Sequence, residues 1–419
     1  MNKFKYNESY QYLSSACLNF TDACNLACKY CFVAQQPHYM TLDIAKQSVD
    51  FLVKNLRIKK DKQFINKASK SDITFFGGEP MLMWDSIIVP LTEYIKEKYP
   101  NEINLSMTTN GTLLNKERID FLYENNIPIL LSIDGYKDTQ DFNRPCQNDE
   151  SSFDLIIKNI PYLLEKFPNT TFRSTIYAPT VSHTFENYIF ASYLGFKNIF
   201  MMPNCRELWS KENQKKLKQE VEKIYDYIIE SFQEDKNIIN FSTINESFER
   251  VLRHDIKVFN KEEKNIISSR SCVRCGLGTD FGSIGYDGKI YGCQEQDSKS
   301  IKSKFFIGDI FNGIDINIHK KLLKEYSQSK QLKCINEKLC ENCKIKNICF
   351  MQACPSTTQD LFNSFFIDSE IHCLWQQFLF DNAIKAMSIL VEENNQYFKK
   401  YLDFDCHYNE YFIEEDMEK

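Results

Sequence analysis

The 419-residue sequence has no long run of basic residues. Lys and Arg number 51 against 57 Asp and Glu, a formal net charge of −6, so a phosphate-reading surface for nucleic acid is not expected. The opening stretch MNKFKYNESYQYLSSACLNF lacks the charged-then-apolar pattern of a secretory signal. No stretch approaches the roughly 20 apolar residues that a membrane span needs. A cytoplasmic protein with neither a nucleic-acid nor a membrane partner is the expectation. Internal repeats and low-complexity linkers are also missing. Hydrophobic residues make up 43% of the chain, which argues against a disordered or fibrous protein. The length suits two domains, or one large barrel with a smaller module.

Cysteine, by contrast, is plentiful. In a reducing cytosol, sixteen cysteines read as metal ligands or catalytic thiols rather than disulfides. Eleven fall into two clusters, at 24–31 and 272–373, while Cys17, Cys146, Cys205, Cys334 and Cys406 are scattered. Clustering points to metal.

Between residues 14 and 205, strand-like runs (SACLNF, ITFFGG, INLSMTTNG, IPILLSIDG, TTFRSTIYA, KNIFMMPN) alternate with helical ones (TLDIAKQSVDFLVKNL, MWDSIIVPLTEYIKEKY, NKERIDFLYEN, SFDLIIKNIPYLLEKF). This alternation predicts βαβ units around a parallel sheet. Six such units suit an α/β fold of the open or partial (β/α)6 TIM-like barrel type. The spacing of Leu217, Val221, Ile224 and Ile228 predicts an amphipathic helix. Past residue 265 the periodicity fades into a cysteine-dense, loop-rich segment, expected to bury little apolar surface and to fold around metal. The end of the chain starts as a helix (LWQQFLFDNAIKAMSILVEE) and closes on the acidic IEEDMEK. The expected division is a lead-in over 1–13, the barrel over 14–235, a helical linker over 236–264, the cysteine-rich domain over 265–375 and a helical, acidic tail over 376–419.

The stretch CNLACKYCF places Cys24, Cys28 and Cys31 within nine residues. Three thiolates so spaced hold three irons of a cubic [4Fe–4S] cluster and leave the fourth open. The same triplet also fits a zinc knuckle or ferredoxin-type site borrowing a distant fourth cysteine. Next, TFFGGEP ends the second strand-like run. Gly77 and Gly78 remove side chains where a ligand's amino and carboxylate groups can meet a backbone edge, and Glu79 is placed to accept from that amine. SMTTNGT, with Asn110, ends the third run. LSIDG ends the fourth and puts Ser132 and Asp134 at a strand's C-terminal edge, where barrel ligands bind. An acidic side chain there suits ribose hydroxyls, and it equally suits capping the turn before Gly135.

In this order and placement the motifs resemble those of the radical S-adenosylmethionine enzymes. CNLACKYCF is similar to their cluster motif, GGEP to their methionine-binding turn and SIDG to their ribose-binding strand. The resemblance implies that the open iron chelates the amino and carboxylate groups of S-adenosylmethionine. Electron transfer from the reduced cluster then cleaves that cofactor to methionine and a 5′-deoxyadenosyl radical. By the family's pattern Gly77, Gly78 and Glu79 hold the methionine end, Ser132, Asp134 and Arg144 contact ribose or carboxylate, and Tyr30 lies near adenine.

The second cysteine group resembles the SPASM domain of radical enzymes that modify peptides and proteins. The resemblance implies two auxiliary [4Fe–4S] clusters, three clusters in all. The first takes Cys272, Cys275, Cys293 and Cys354, and the second takes Cys340, Cys343, Cys349 and Cys373; zinc sites are the rival reading. Departures exist. Four residues separate Cys349 from Cys354 where three are expected, Cys272 and Cys275 are close together, and Cys334 is a spare thiol. Without Cys272 as a ligand, the first auxiliary cluster keeps an open iron that suits a substrate thiolate.

Sulfatase-maturing members carry an acidic proton acceptor directly after the cysteine equivalent to Cys293. Here Gln294 stands there, and glutamine takes up no proton at useful pH. Glu295 is the next candidate base. A peptide maturase is therefore expected, one that abstracts hydrogen from a ribosomally made, Cys-containing precursor and installs a thioether or C–C cross-link. Alternatives are sulfatase-type oxidation of Cys or Ser to formylglycine, small-molecule cofactor biosynthesis, and electron transfer without catalysis. A flavodoxin or ferredoxin is the implied reductant. The first strand begins near Ser14, which leaves no room for a fused leader-binding domain of about 80 residues; leader recognition is expected from a separate leader-binding protein, from the barrel or tail, or not at all.

Overall fold

The computed structural model describes residues 5–234, 240–241, 244–245, 247–248, 251, 275–297, 303–327, 333–334, 343, 354–365 and 367–404. Strands β1 (Ser15–Asn19), β2 (Ser71–Phe76), β3 (Ile103–Thr109), β4 (Ile129–Ser132), β5 (Thr171–Ile176) and β6 (Asn198–Pro203) pair in parallel and in sequence order. Each of the six coincides with one of the strand-like runs. The helices between them are α1 (Leu42–Asp61), α2 (Val89–Lys98), α3 (Lys116–Glu124), α4 (Lys137–Asn143), α5 (Ser152–Ile157), α6 (Ile160–Lys166) and α7 (Thr184–Tyr193). A longer helix, α8 (Lys211–Gln233), follows β6.

Two helical expectations are refined. The run SFDLIIKNIPYLLEKF is two helices, because Pro161 near the start of α6 brings no N–H and its ring opposes the Ile157 carbonyl. The run over 83–99 starts instead as a 3-10 turn (Pro80–Met83) and a π turn (Trp84–Ile88) before α2. In α8, Leu217, Val221, Ile224 and Ile228 are all buried, as their spacing predicts.

The sheet has two ends and is an open, partial barrel. β7 (Asn240–Phe241) extends it beyond β6. At the other edge β8 (Phe281–Ile284) runs parallel to β1, and β9 (Lys289–Tyr291), β10 (Phe306–Asp309) and β11 (Gly313–Ile314) continue as an antiparallel meander. The cysteine-dense region therefore continues the barrel's own sheet. It also buries more apolar surface than its sequence suggests: Leu277, Ile284, Ile290, Phe305, Ile307, Leu322, Leu323 and Tyr326 are core residues. These side chains recur too irregularly between glycines and cysteines to show as a period.

The helix Glu370–Glu392 spans the expected boundary at 375/376 and lies along α8. The Tyr225 hydroxyl donates to the Leu379 carbonyl at 3.1 Å, and Lys385 pairs with Asp226 at 2.7 Å. No helix among the described residues is long and apolar enough to cross a membrane.

Strand alternation sets up the interior. In β5, Phe172, Ser174 and Ile176 are buried, whereas Arg173 and Thr175 border an open space. In β6, Ile199 and Met201 are buried and Met202 borders the same space. Such period-two partitioning follows from the pleat.

Candidate active site

That space is a cavity of about 380 Å³ at the C-terminal ends of the strands. From the loop after β1 it is lined by Cys24, Cys28, Tyr30 and Cys31; from the turn after β2 by Gly77, Gly78 and Glu79; and from the end of β3 by Asn110. Ser132 of β4 and Arg144 after α4 complete the barrel wall, and Gln294 and Glu295 arrive from the far side of the sheet. A barrel gathers loops that are distant in sequence at this face because its strands are parallel.

The cysteine loop is pinned on two sides. Ala27 N donates to Pro145 O at 2.8 Å and Lys29 N to Asn143 O at 2.9 Å. On the other side Gly78 N donates to Thr21 O at 2.7 Å and Glu79 N to Ala23 O at 3.0 Å. A Cβ at Gly77 would sit 2.4 Å from Thr21 O, and one at Gly78 would sit 2.2 Å from Ala23 O. The space these glycines leave free is thus filled by residues 21–23, a use of the glycine pair that motif reading did not supply.

Glu79 is buried and already engaged. Its carboxylate accepts from Met81 N at 3.0 Å, Thr109 Oγ1 at 2.7 Å and Asn110 N at 2.8 Å. Burial outweighs these bonds and pushes its pKa up to about 7. The side chain of Asn110 donates to Asn25 Oδ1 at 2.9 Å and accepts from Thr112 N at 3.0 Å, bracing the same loop.

Asp134 follows β4 at the strand's C-terminal edge, as expected, but its side chain does not border the cavity. It lies behind the cavity wall, where its carboxylate takes the Arg144 guanidinium at 3.0 Å, the Thr175 amide at 2.9 Å, the Asn143 side chain at 2.9 Å and the Tyr30 hydroxyl. A carboxylate so fully subscribed has little left for ribose. Arg144 also lies 5.3 Å from the centre of the Tyr30 ring, and its Nε is buried with no hydrogen-bond partner among the described residues.

Burial raises the Cys24 thiol to about 12 and the Cys28 thiol to about 11, the latter despite the nearby Arg144 charge. Thiols in that state become ligands when a cation displaces the proton. Among the described residues no three Cys, His, Asp or Glu side chains converge on one metal-sized position. The donor set still fits an iron–sulfur cluster with a bound carboxylate beside it. Three sulfurs of one loop border one cavity, and an unfilled guanidinium N–H is buried at its wall.

Of the auxiliary set, Cys275, Cys293 and Cys354 are described; burial and then the Glu295 charge push all three thiols up, and Cys354 and Cys275 add to the rise at Cys293. Cys343 and Cys373 are partly buried elsewhere in the C-terminal region. Cys272, Cys340 and Cys349 lie outside the described residues. Glu295 pairs with Arg206 at 2.5 Å, and Arg206 also pairs with Asp360 and donates to Ser356 at 3.0 Å. This bridge ties the loop after β6 to the C-terminal region across the cavity mouth. Sequence reading missed Arg206, because nothing local marks a pairing between residues 89 positions apart. It also missed Arg173, whose one signal was a charge at an inward position of a strand.

Residues 18–187 match the model of the Radical SAM superfamily. The chain carries a radical SAM domain. Over 185 residues it is 28% identical to a cysteine-type anaerobic sulfatase-maturating enzyme of Clostridium novyi, covering 43% of this chain and 48% of that protein. Over 164 residues it is 26% identical to the radical SAM cyclopropyl synthase TigE of Paramaledivibacter caminithermalis, covering 34% and 32%. The matched segments thus span at most about half of these relatives' length.

Likeness of fold extends further. Histidine-tagged anSMEcpe with bound AdoMet superposes with a TM-score of 0.67 at 18% identity, covering 90% of this chain and 95% of that one. Streptococcus suis SuiB bound to its precursor peptide SuiA gives 0.56 at 16% identity, covering 86% and 76%. The radical SAM fold and a C-terminal extension are therefore common to this chain and those structures.

Proposed function

We propose that this chain is a radical S-adenosylmethionine enzyme that installs a cross-link, thioether or C–C, in a ribosomally made peptide. The observation that carries the reading is that one cavity faces the three-thiol loop, the GGE turn, Ser132 and Arg144, and, from the C-terminal region, Gln294 and Glu295. Cys24, Cys28 and Cys31 would hold the radical-generating cluster, which when bound supplies reductive cleavage of S-adenosylmethionine. Arg144, held by Asp134, would take the cofactor's carboxylate on its buried Nε. Glu79 would keep the methionine-side turn closed, and Tyr30, oriented by Asp134, would stand beside adenine.

Cys272, Cys275, Cys293 and Cys354 would carry one auxiliary cluster, and Cys340, Cys343, Cys349 and Cys373 another, as acceptors for the electron released on bond formation. Glu295 would take the proton. The reading extends to a cytoplasmic setting, a flavodoxin or ferredoxin reductant and leader recognition by a separate protein. SuiB, a structure of similar fold, is bound to a precursor peptide, which supports a peptide substrate.

The similarity to sulfatase-maturating enzymes favours a second reading, oxidation of Cys or Ser to formylglycine. Anaerobic co-expression with a cysteine-rich peptide encoded beside the gene separates the two. A loss of about two mass units per link with fragmentation blocked across the linked segment marks a cross-link. An aldehyde trapped by a hydrazide marks formylglycine. An unchanged peptide with no turnover of S-adenosylmethionine defeats both.

A further inference from the structure

Three arginines line the cavity. Arg144 is neutralised by Asp134, and Arg206 by Glu295 and Asp360. Arg173 is different. Among the described residues no carboxylate stands within ion-pair distance of it. Its recorded contacts are a hydrogen bond from Nη1 to the Ser174 carbonyl at 2.6 Å and a guanidinium stacked 4.6 Å from the centre of the Phe200 ring. Five donors in a planar fork are more than one backbone carbonyl can satisfy.

The place of Arg173 in the sheet is equally telling. It sits in register between Ser132 of β4 and Phe200 of β6. The GGE turn follows β2, three strands away from β5, whereas the thiol loop reaches across to β5, where Tyr30 shares the Asp134 carboxylate with the Thr175 amide. On the side of Arg173 the wall is Met202 of β6 with Asn204 and Cys205, which lead on to Arg206. An uncompensated cation kept in such a wall costs free energy that a bound anion would return. Its environment lowers the pKa of Arg173, first by burial and then by the like charge of Arg144, and the negative groups beyond ion-pair distance, Asp134 and Glu295, offset this only in part.

We propose that Arg173, stacked on Phe200, is a carboxylate-binding subsite for the peptide substrate, distinct from the cofactor's carboxylate site at Arg144. The planar fork accepts a carboxylate in two parallel hydrogen bonds. It would fix an acidic side chain or a C-terminal carboxylate of the peptide relative to the carbon that loses hydrogen. This inference rests on the peptide-modifying reading above.

The test uses the full chain, anaerobically reconstituted and loaded with S-adenosylmethionine. Saturation-transfer NMR is recorded with four probes: acetyl-Glu-amide, acetyl-Gly, acetyl-Gln-amide and acetyl-Gly-amide. A carboxylate probe is expected to bind at least tenfold more tightly than its amide partner. Preference for acetyl-Glu-amide assigns the subsite to an acidic side chain, and preference for acetyl-Gly assigns it to a C-terminus. Arg173→Gln should abolish the preference, and Arg173→Lys should restore part of it, because a lysine retains the charge without the fork.

Wild-type protein that shows no carboxylate preference overturns the proposal, whatever the variants do. So does a loss of S-adenosylmethionine binding in Arg173→Gln as large as its loss of carboxylate binding, which would put the guanidinium on the cofactor. These binding readouts need no turnover. Failure of the peptide-modifying reading shows separately, as S-adenosylmethionine cleavage without any change in peptide.

Discussion

The Asp134 carboxylate holds the Arg144 guanidinium at 3.0 Å while also accepting the Tyr30 hydroxyl, so one buried acid orients two residues of the cavity wall. Asp134→Asn leaves Arg144 buried without a counter-charge. The expected cost is about 3 kcal/mol of stability or more, together with a loss of S-adenosylmethionine affinity of at least about tenfold, equivalent to 1.4 kcal/mol. Thermal unfolding and equilibrium dialysis measure the two. Undiminished affinity would leave Asp134 as a core residue alone.

Gly78→Ala drives a methyl group against the Ala23 carbonyl, backbone that cannot swing aside. The loop carrying Cys24 must move, so iron and acid-labile sulfide retained after anaerobic reconstitution should fall. Gly195→Ala is the control. It takes a positive φ of +92°, yet its nearest neighbour is Leu164 Cδ1 at 3.8 Å, and strain alone should cost about 1 kcal/mol with iron content unaltered.

Glu295 reaches the cavity while paired with Arg206. If it takes the proton, Glu295→Gln should lower peptide product formation by about 10²-fold or more. Formation of 5′-deoxyadenosine should fall much less, so that cofactor cleavage becomes uncoupled from peptide modification. Equal losses in both would reduce Glu295 to a bridge between the loop after β6 and the C-terminal region.

His319 offers a pH test away from the cavity. Its Nε2 lies 3.0 Å from the Leu277 carbonyl, which can only accept, so Nε2 carries the proton and Nδ1 accepts from the Tyr6 hydroxyl at 3.1 Å. Burial lowers its pKa to about 4 from the ordinary 6.5. Between those values the unfolded chain binds more protons than the folded one, so stability rises with pH from about 4 to 6.5 and is lost as pH falls. His319→Gln should remove up to about 3 kcal/mol of that dependence, read from urea unfolding across this range.

Much of the barrel was legible because its signals are local. β5 and β6 show the alternation of buried and inward residues along their own length, and the cysteine triplet and the GGE turn each lie within a few positions. The C-terminal meander was harder. β8 joins β1 across 266 residues, Ser15 pairing with Phe281, and no periodicity within the cysteine-rich segment points to a partner so far away.

The amino-acid sequence by itself determined the succession of the six barrel strands, the spacing of the thiols in the Cys24–Cys31 loop and the residues at each strand end, because each depends on neighbours within a turn or a strand. Only the tertiary structure decided how charge is shared among them. It set Asp134 behind the wall as the holder of Arg144, closed Glu79 onto the turn and bridged Arg206 to Glu295. Arg173 alone of the cavity's three arginines was left facing that space without a carboxylate among the described residues. Ion pairing depends on distances through space, falling off over a few ångströms, and only the folded sheet brings residues so far apart in sequence within that range.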